Sequence, residues 1–316
     1  MVGERYGGFD AVAACGYNLS VPHDVNLCQF VHGAWIRSPV HVARLSHGPW
    51  AWYQWLYSRA NEYFEKLSYA VAGVVVAPSE KIREELIAIG VPFERTAVIY
   101  NGVDPKEFSP SMADNPDPAE RMALRLPLPS AGLLAVFAGD IRTPRKNLDS
   151  VLKALVFVPG LQLAVVGDVT KSPFPALAAK LGVADRVTFL GFRKDINRVM
   201  RTADLFVFPS RYEAGTLVLT EAAASGLPLV TAATAGGAEV FGPEAAATVA
   251  DPDDVPAIIN AIRRFTDDPI ARRSAAVAAR AAAERLSWTE MAKRYVDLFE
   301  AAPKRRASAS AVVEPV

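Results

Sequence analysis

The sequence predicts an α/β protein whose parallel sheets are divided between two domains. Three observations carry that expectation. Ala203 to Val230 reads as strand, loop, helix, strand: an apolar run at Leu205–Phe208 breaks at Pro209-Ser210, helical text begins near Thr216, and a second buried strand resumes after Gly226-Leu227-Pro228. The same alternation recurs at Val71–Pro92 and from Leu133 onward, which is the repeat of a parallel sheet. The 316 residues are enough for two cores, and a Pro-rich stretch at 109–130 makes a boundary between them.

Taken in order, residues 9–31 read as two short α/β pieces joined by a turn at Pro22, the second a strand running into His32-Gly33. Residues 34–70 are dense in rings, interleaved with Arg37, Arg44, Arg59 and Lys66. Such rings stack on sugars or sit at membrane interfaces. The expected reading is core packing, because Trp52, Leu56, Tyr63 and Leu67 approximate one helical face. The apolar run that starts at Val71 reads as a strand, Ser79 as an N-cap, and Gly90 as a helix stop. Beyond the boundary come strands at LLAVFAGD, LQLAVVGDV and Val187–Leu190, each followed by a helix, and then an Ala-rich helical region from Asp253, broken near Pro269. The last helix opens at Ser287-Trp288, and the tail from 303 to 316 is expected to be disordered.

Composition narrows the function classes. Lys+Arg and Asp+Glu are equal at 34 each, so no global field recruits nucleic acid. Cys15 and Cys28 are too few for a disulfide scaffold, and no run of about 18 apolar residues spans a bilayer. A reduced, cytoplasmic setting is the expectation, with the inner face of the membrane as an extension of it.

The chemistry concentrates beyond the carboxyl ends of strands, where open α/β sheets bind ligands. Glu213 lies in the loop after Leu205–Phe208, and Glu221 lies one turn into the next helix, with seven residues between them. The helix start offers backbone N–H groups at Thr216 and Leu217 that suit a phosphate, and the flanking carboxylates suit sugar hydroxyls. A nucleotide sugar has that layout. The competing reading makes Glu221 an ordinary helix residue and Glu213 a solvated loop charge. A second loop, Asp140 to Asn147, carries Arg142, Arg145 and Lys146 between a strand and a helix, a good place for a pyrophosphate or simply a basic turn.

These segments resemble glycosyltransferase family 4, the retaining GT-B type, in which two Rossmann-like domains face each other. The resemblance rests on the glutamate pair after a Pro-Ser strand end, on Asn101-Gly-Val-Asp104 at the exit to the hinge, and on Lys146. It implies that Glu213 faces the donor sugar and that Glu221 binds the ribose diol. Lys146 and Arg142 would bind the donor diphosphate beside Thr216 and Leu217. It further implies that Gly191, Phe192 and Arg193 hold the nucleobase, and that His32 faces the donor sugar as a second catalytic residue. Trp35 and Arg37 become acceptor candidates. Two departures stand out: Ala214-Gly215-Thr216 where the family has Gly-Phe-Gly, and Asp140 where it has the arginine.

The implied organisation is a partial acceptor-side domain over 1–107, completed by the helix 288–301, a linker over 108–130, and a donor-binding domain over 131–287. The first domain is shorter than the resemblance implies and lacks its glycine-rich first loop. Either the start is truncated or a partner chain supplies the missing strands. The expected function is transfer of a sugar from a nucleoside diphosphate sugar to a glycan, lipid-linked or small-molecule acceptor, with retention, no cofactor and no metal. Peripheral membrane contact is a further expectation. The alternative is a relative that binds nucleotide sugar without turnover. A dinucleotide-dependent dehydrogenase is disfavoured, because no GxGxxG follows a first strand.

Overall fold

The computed structural model describes residues 9–111, 118–128 and 132–310, with side chains through Ala301. The chain forms two compact units: one ends at Asn101 and is rejoined by the chain from Thr289, and the other is Gly102–Trp288.

The first unit holds a four-stranded parallel sheet in the order β1 (Ala13–Cys15), β2 (His23–Leu27), β3 (Ala72–Ala77), β4 (Thr96–Val98). Val25, Val74, Val76 and Ile99 build its core on one face, covered by Met291, Tyr295, Leu298 and Phe299 of the last helix, α12 (Trp288–Ser310). That helix runs past 303, where the sequence suggested that a disordered tail begins; residues 311–316 lie outside the described residues. The β2–β3 crossover contains the short helices α1 (His32–Trp35) and α2 (Val42–Leu45) and the 23-residue helix α3 (Pro49–Val71). After β3, Ser79 caps α4 (Glu80–Ala88) by accepting the Ile82 N–H at 3.2 Å, as the sequence predicts.

Core packing was the wrong expectation for the aromatic stretch. Trp52 is 70% exposed and Tyr63 61%, with Leu56 and Leu67 on the same outward face. The buried side of α3 is instead polar, with Ser58, Asn61, Glu62, Glu65 and Ser68. Periodicity identified a face correctly but not its direction, because the buried polar groups find partners inward and so remove the cost of burying them.

The second unit holds a six-stranded sheet in the order β10 (Ala246–Val249), β9 (Leu229–Ala232), β8 (Leu205–Phe208), β5 (Leu133–Ala138), β6 (Leu161–Val166), β7 (Val187–Gly191), parallel at every pairing. β5, β6, β8 and β9 are nearly or fully buried, which explains their continuous apolar runs. The stretch expected as a linker belongs to this unit wherever it is described. Phe108, Leu124 and Leu126 enter the main core, and α5 (Pro118–Ala123) carries Arg121, only 1% exposed. Arg121 Nη2 reaches Asp204 Oδ2 at 3.0 Å and its Nε donates to the Thr202 carbonyl at 2.9 Å. Proline density marks irregular backbone, but these interleaved side chains still pack.

Candidate active site

In the second unit the first strand, β5, has β6 on one side and β8 on the other, so the strand order reverses there. The loops after β5 and β8 leave the sheet at this switch point, and their side chains meet. Lys146 Nζ lies 2.5 Å from Glu213 Oε1. Ser210 Oγ donates to the same oxygen at 2.9 Å, and Arg145 Nη1 stands 3.5 Å away. Glu213 is 8% exposed, which removes the reading of a solvated loop charge.

Each partner is placed by local backbone chemistry. Lys146 ends a 3₁₀ turn, Pro144–Lys146, and its ammonium lies 5.5 Å from the Phe208 ring centroid. Asn147 follows with φ of 67°, a left-handed conformation that few side chains adopt but asparagine tolerates. Its buried amide donates to the carbonyls of Pro209, at 2.8 Å, and Pro252, which pins the loop after β5 to the end of β8. Glu213 is fixed by a parallel bridge to Ala235, its N–H donating to the Thr234 carbonyl at 3.2 Å. Burial pulls the Lys146 ammonium below its ordinary pKa and Arg145 adds to that, while Glu213 opposes it.

Glu221 sits in α9 (Leu217–Ala224), the helix that begins after this loop. Its carboxyl is pushed up to about 7 by burial first and then by the charge of Glu107. A desolvated carboxylate beside a second carboxylate gains from hydroxyl donors such as a ribose diol.

Arg142, Thr216 and Arg193 each hold partners within the chain. Arg142, the arginine matched to the diphosphate, is tied through Nε to Asp140 at 2.9 Å and lies 3.6 Å from Asp168; the cation at Glu213 beside Lys146 is Arg145. Thr216 does not offer a spare donor, because its N–H and hydroxyl both donate to the Gly236 carbonyl at 2.9 Å. Leu217 opens the helix, whose first turn has no side-chain cap. In the nucleobase stretch Arg193 is held by Asp195 at 2.6 and 2.8 Å, and the Gly191 carbonyl accepts from Gly167 at 3.0 Å. A Cβ at Gly167 would stand 2.2 Å from the Gly139 carbonyl, so that close approach requires glycine. Phe192 is 77% exposed beyond β7.

The first unit builds a second constellation around His32. β2 ends at Leu27, so His32 is not a strand terminus; it opens α1. Its Nδ1 lies 2.6 Å from Glu65 Oε1, its backbone N–H donates to Glu65 Oε2 at 2.8 Å, and Asn61 Nδ2 lies 3.2 Å from Nε2. With Asn61 donating to Nε2, the ring proton sits on Nδ1 and is given to Glu65. The rings of Tyr17, Phe30 and Tyr57 surround the imidazole edge-on. Glu65 and Asn61 were not singled out from the sequence, although their i, i+4 spacing on an otherwise aromatic helix was the available signal. Of the acceptor candidates, Trp35 packs edge-on against Phe30 and His41, and Arg37 donates to the Gly33 carbonyl and reaches Glu62 at 3.4 Å.

Residues 125–282 match the family described as Glycosyl transferases group 1, and residues 4–107 match Glycosyltransferase Family 4. The chain is 31% identical over 251 residues to a D-inositol 3-phosphate glycosyltransferase of Xylanimonas cellulosilytica, an alignment covering 77% of this chain and 60% of that protein. Among solved structures it shares the fold of sucrose-phosphate synthase from Thermosynechococcus elongatus, with TM-score 0.73 and 21% identity over 95% of this chain and 75% of that one. It also shares the fold of Anabaena Alr3699/HepE in complex with UDP-glucose, with TM-score 0.67 and 23% identity over 88% of this chain and 72% of that one. With its glutamate pair and basic loop set at the switch point of a parallel sheet, the chain belongs to the group 1 glycosyltransferases of the family 4, GT-B type.

Proposed function

We propose that this chain transfers a sugar from a nucleoside diphosphate sugar to an acceptor hydroxyl, with retention at the anomeric carbon. The observation that carries the reading is the Lys146–Glu213 pair, which sits within 2.5 Å at the sheet's switch point. A donor diphosphate competes with Glu213 for the Lys146 ammonium. Lys146 and Arg145 then neutralise the leaving group together with the first turn of α9, and Glu213 is released to face positive charge developing on the sugar. The leaving diphosphate takes the acceptor's proton, so no covalent enzyme intermediate forms, and no resident metal is assigned a role. Glu221 accepts from the ribose diol, Phe192 supplies a ring face to the base, and His32, oriented by Glu65, serves the donor sugar. The UDP-glucose complex of HepE is consistent with this class of donor.

The test is Glu213→Ala. Transfer falls by about a hundredfold to a thousandfold, the range for loss of one preorganised charge partner. Nucleoside diphosphate affinity is largely kept; full transfer activity would remove Glu213 from the chemistry. A second reading, nucleotide-sugar binding without turnover, is favoured by Thr216, whose donors are both spent on Gly236. Donor hydrolysis by the unmodified chain decides against it.

A further inference from the structure

Arg211 follows Ser210 and stands two residues before Glu213, where its charge reads as part of the cationic site. The fold turns it elsewhere. Its Nη1 and Nη2 reach the two carboxylate oxygens of Asp149 at 2.8 and 2.9 Å, and its Nε lies 2.8 Å from Asp253 Oδ1. Nη1 also donates to the Pro144 carbonyl. With its donors taken by two carboxylates and a carbonyl, this guanidinium is not offered to a phosphate.

Those partners come from two other segments. Pro144 lies in the basic loop after β5, and Asp149 lies in the first turn of α6 (Leu148–Leu155), the helix that follows it. Asp253 lies between β10 and α10 (Val255–Thr266), the segment whose Pro252 carbonyl already accepts from Asn147. The Arg211 side chain is only 11% exposed. Burial weakens both charges of the Arg211–Asp149 pair, yet each outweighs it in the other: the guanidinium is raised and the Asp149 carboxyl is lowered, so the pair stays ionised at neutral pH. The backbone adds a further tie, the Arg211 N–H donating to the Arg145 carbonyl at 2.9 Å. Glu213 therefore sits between two tethers. One is its own bridge to Ala235 after β9, and the other runs through Arg211 to the segments after β5 and β10. Lys146 rides on the loop after β5, so the fork of Arg211 sets how closely Lys146 and Glu213 meet. A planar guanidinium can span two carboxylates at once, which a lysine ammonium does far less well.

We propose that Arg211 is a positioning residue that, through Asp149 and Asp253, fixes the Glu213 carboxylate against Lys146 and so sets the rate of transfer without touching substrate. Its kinetic consequence rests on the transferase reading of Glu213, whereas the placement itself shows in the Lys146 ammonium with no turnover needed. The test uses Arg211→Lys, which keeps the charge and loses the fork, and Asp253→Ala, at an exposed position that spares the fold. Transfer rate at saturating donor falls about a hundredfold in the first, the cost of a misplacement of roughly 1 Å, and about tenfold in the second, with nucleoside diphosphate affinity kept. The second readout is the titration of Lys146, followed by NMR on isotopically methylated lysines and assigned by its loss in Lys146→Arg. Glu213 raises that ammonium's pKa, so a Glu213 that has drawn away leaves it lower still in both variants. An unchanged Lys146 titration overturns the proposal, as does full transfer rate in both variants where Glu213→Ala has lost it. Full transfer by Glu213→Ala, with the Lys146 titration moved in both variants, sinks the catalytic reading of Glu213 and leaves the positioning role standing.

Discussion

Replacing Glu221 by glutamine should make the protein more stable at alkaline pH and worse at holding a nucleotide. The Glu221 carboxyl is pushed up to about 7, against an ordinary value of 4.5, because it is half-buried in α9 and then faces the charge of Glu107. The folded state therefore favours the proton, and the stability this confers is complete below about 4.5 and lost as pH rises through about 7. Glutamine mimics the protonated form at every pH. The shift corresponds to about 3 kcal/mol. At pH 8 Glu221→Gln should be more stable by about that much, a rise of roughly 6–12 °C in melting temperature for a unit of this size. At pH 4.5 the two proteins should melt together. The assay is thermal unfolding at both pH values, paired with calorimetric titration of a nucleoside diphosphate. Ribose hydroxyls donate to the ionised carboxylate, so binding by the unmodified chain should strengthen from pH 5 to 8, and the variant should bind more weakly with a flat profile. A stability gain that is absent at pH 8, or equal at both pH values, would refute the reasoning.

Lys146→Ala should weaken nucleoside diphosphate affinity by roughly ten- to a hundredfold, the worth of a charge-assisted hydrogen bond; unchanged calorimetric affinity would take the residue out of the site. Arg142→Ala, by contrast, should leave that affinity nearly intact, since its guanidinium is held by Asp140 on the surface. Arg121→Met strands the Asp204 carboxylate, which then keeps, among the described residues, only the Leu134 N–H at 2.8 Å, and should cost about 3 kcal/mol in chemical denaturation. Glu65→Gln removes the charge that orients His32, so turnover should fall while nucleotide affinity holds; equal turnover across the pH range would leave Glu65 a packing residue.

Much of the second unit was legible from the chain alone, because it depends on local order. A strand that must be buried on both faces reads as an apolar run, so β5, β6, β8 and β9 fall where the sequence predicts them. The loops that follow carry their charges in plain view. What a loop does with three adjacent cations was not legible. Arg142 and Arg145 are equivalent in one dimension, and only folding shows that Asp140 engages the first while Glu213 draws the second. Thr216 offered a free backbone donor until the turn at Gly236 claimed it.

The sequence by itself determined the α/β class, the two-part organisation, the strand–loop–helix unit around Glu213 and Glu221, and the basic loop that carries Lys146. These follow from periodicity, turn chemistry and residue type, which act over a few residues at a time. Only the tertiary structure decided which face of α3 points inward, that Glu65 and Asn61 hold His32, that residues 118–128 belong to a core, and that Arg145 rather than Arg142 stands at Glu213. Each of those outcomes depends on a partner distant in sequence, such as Arg121 with Asp204 or Asn147 with Pro209 and Pro252. A polar side chain is buried or exposed according to whether such a partner is within reach, and that is a property of the fold.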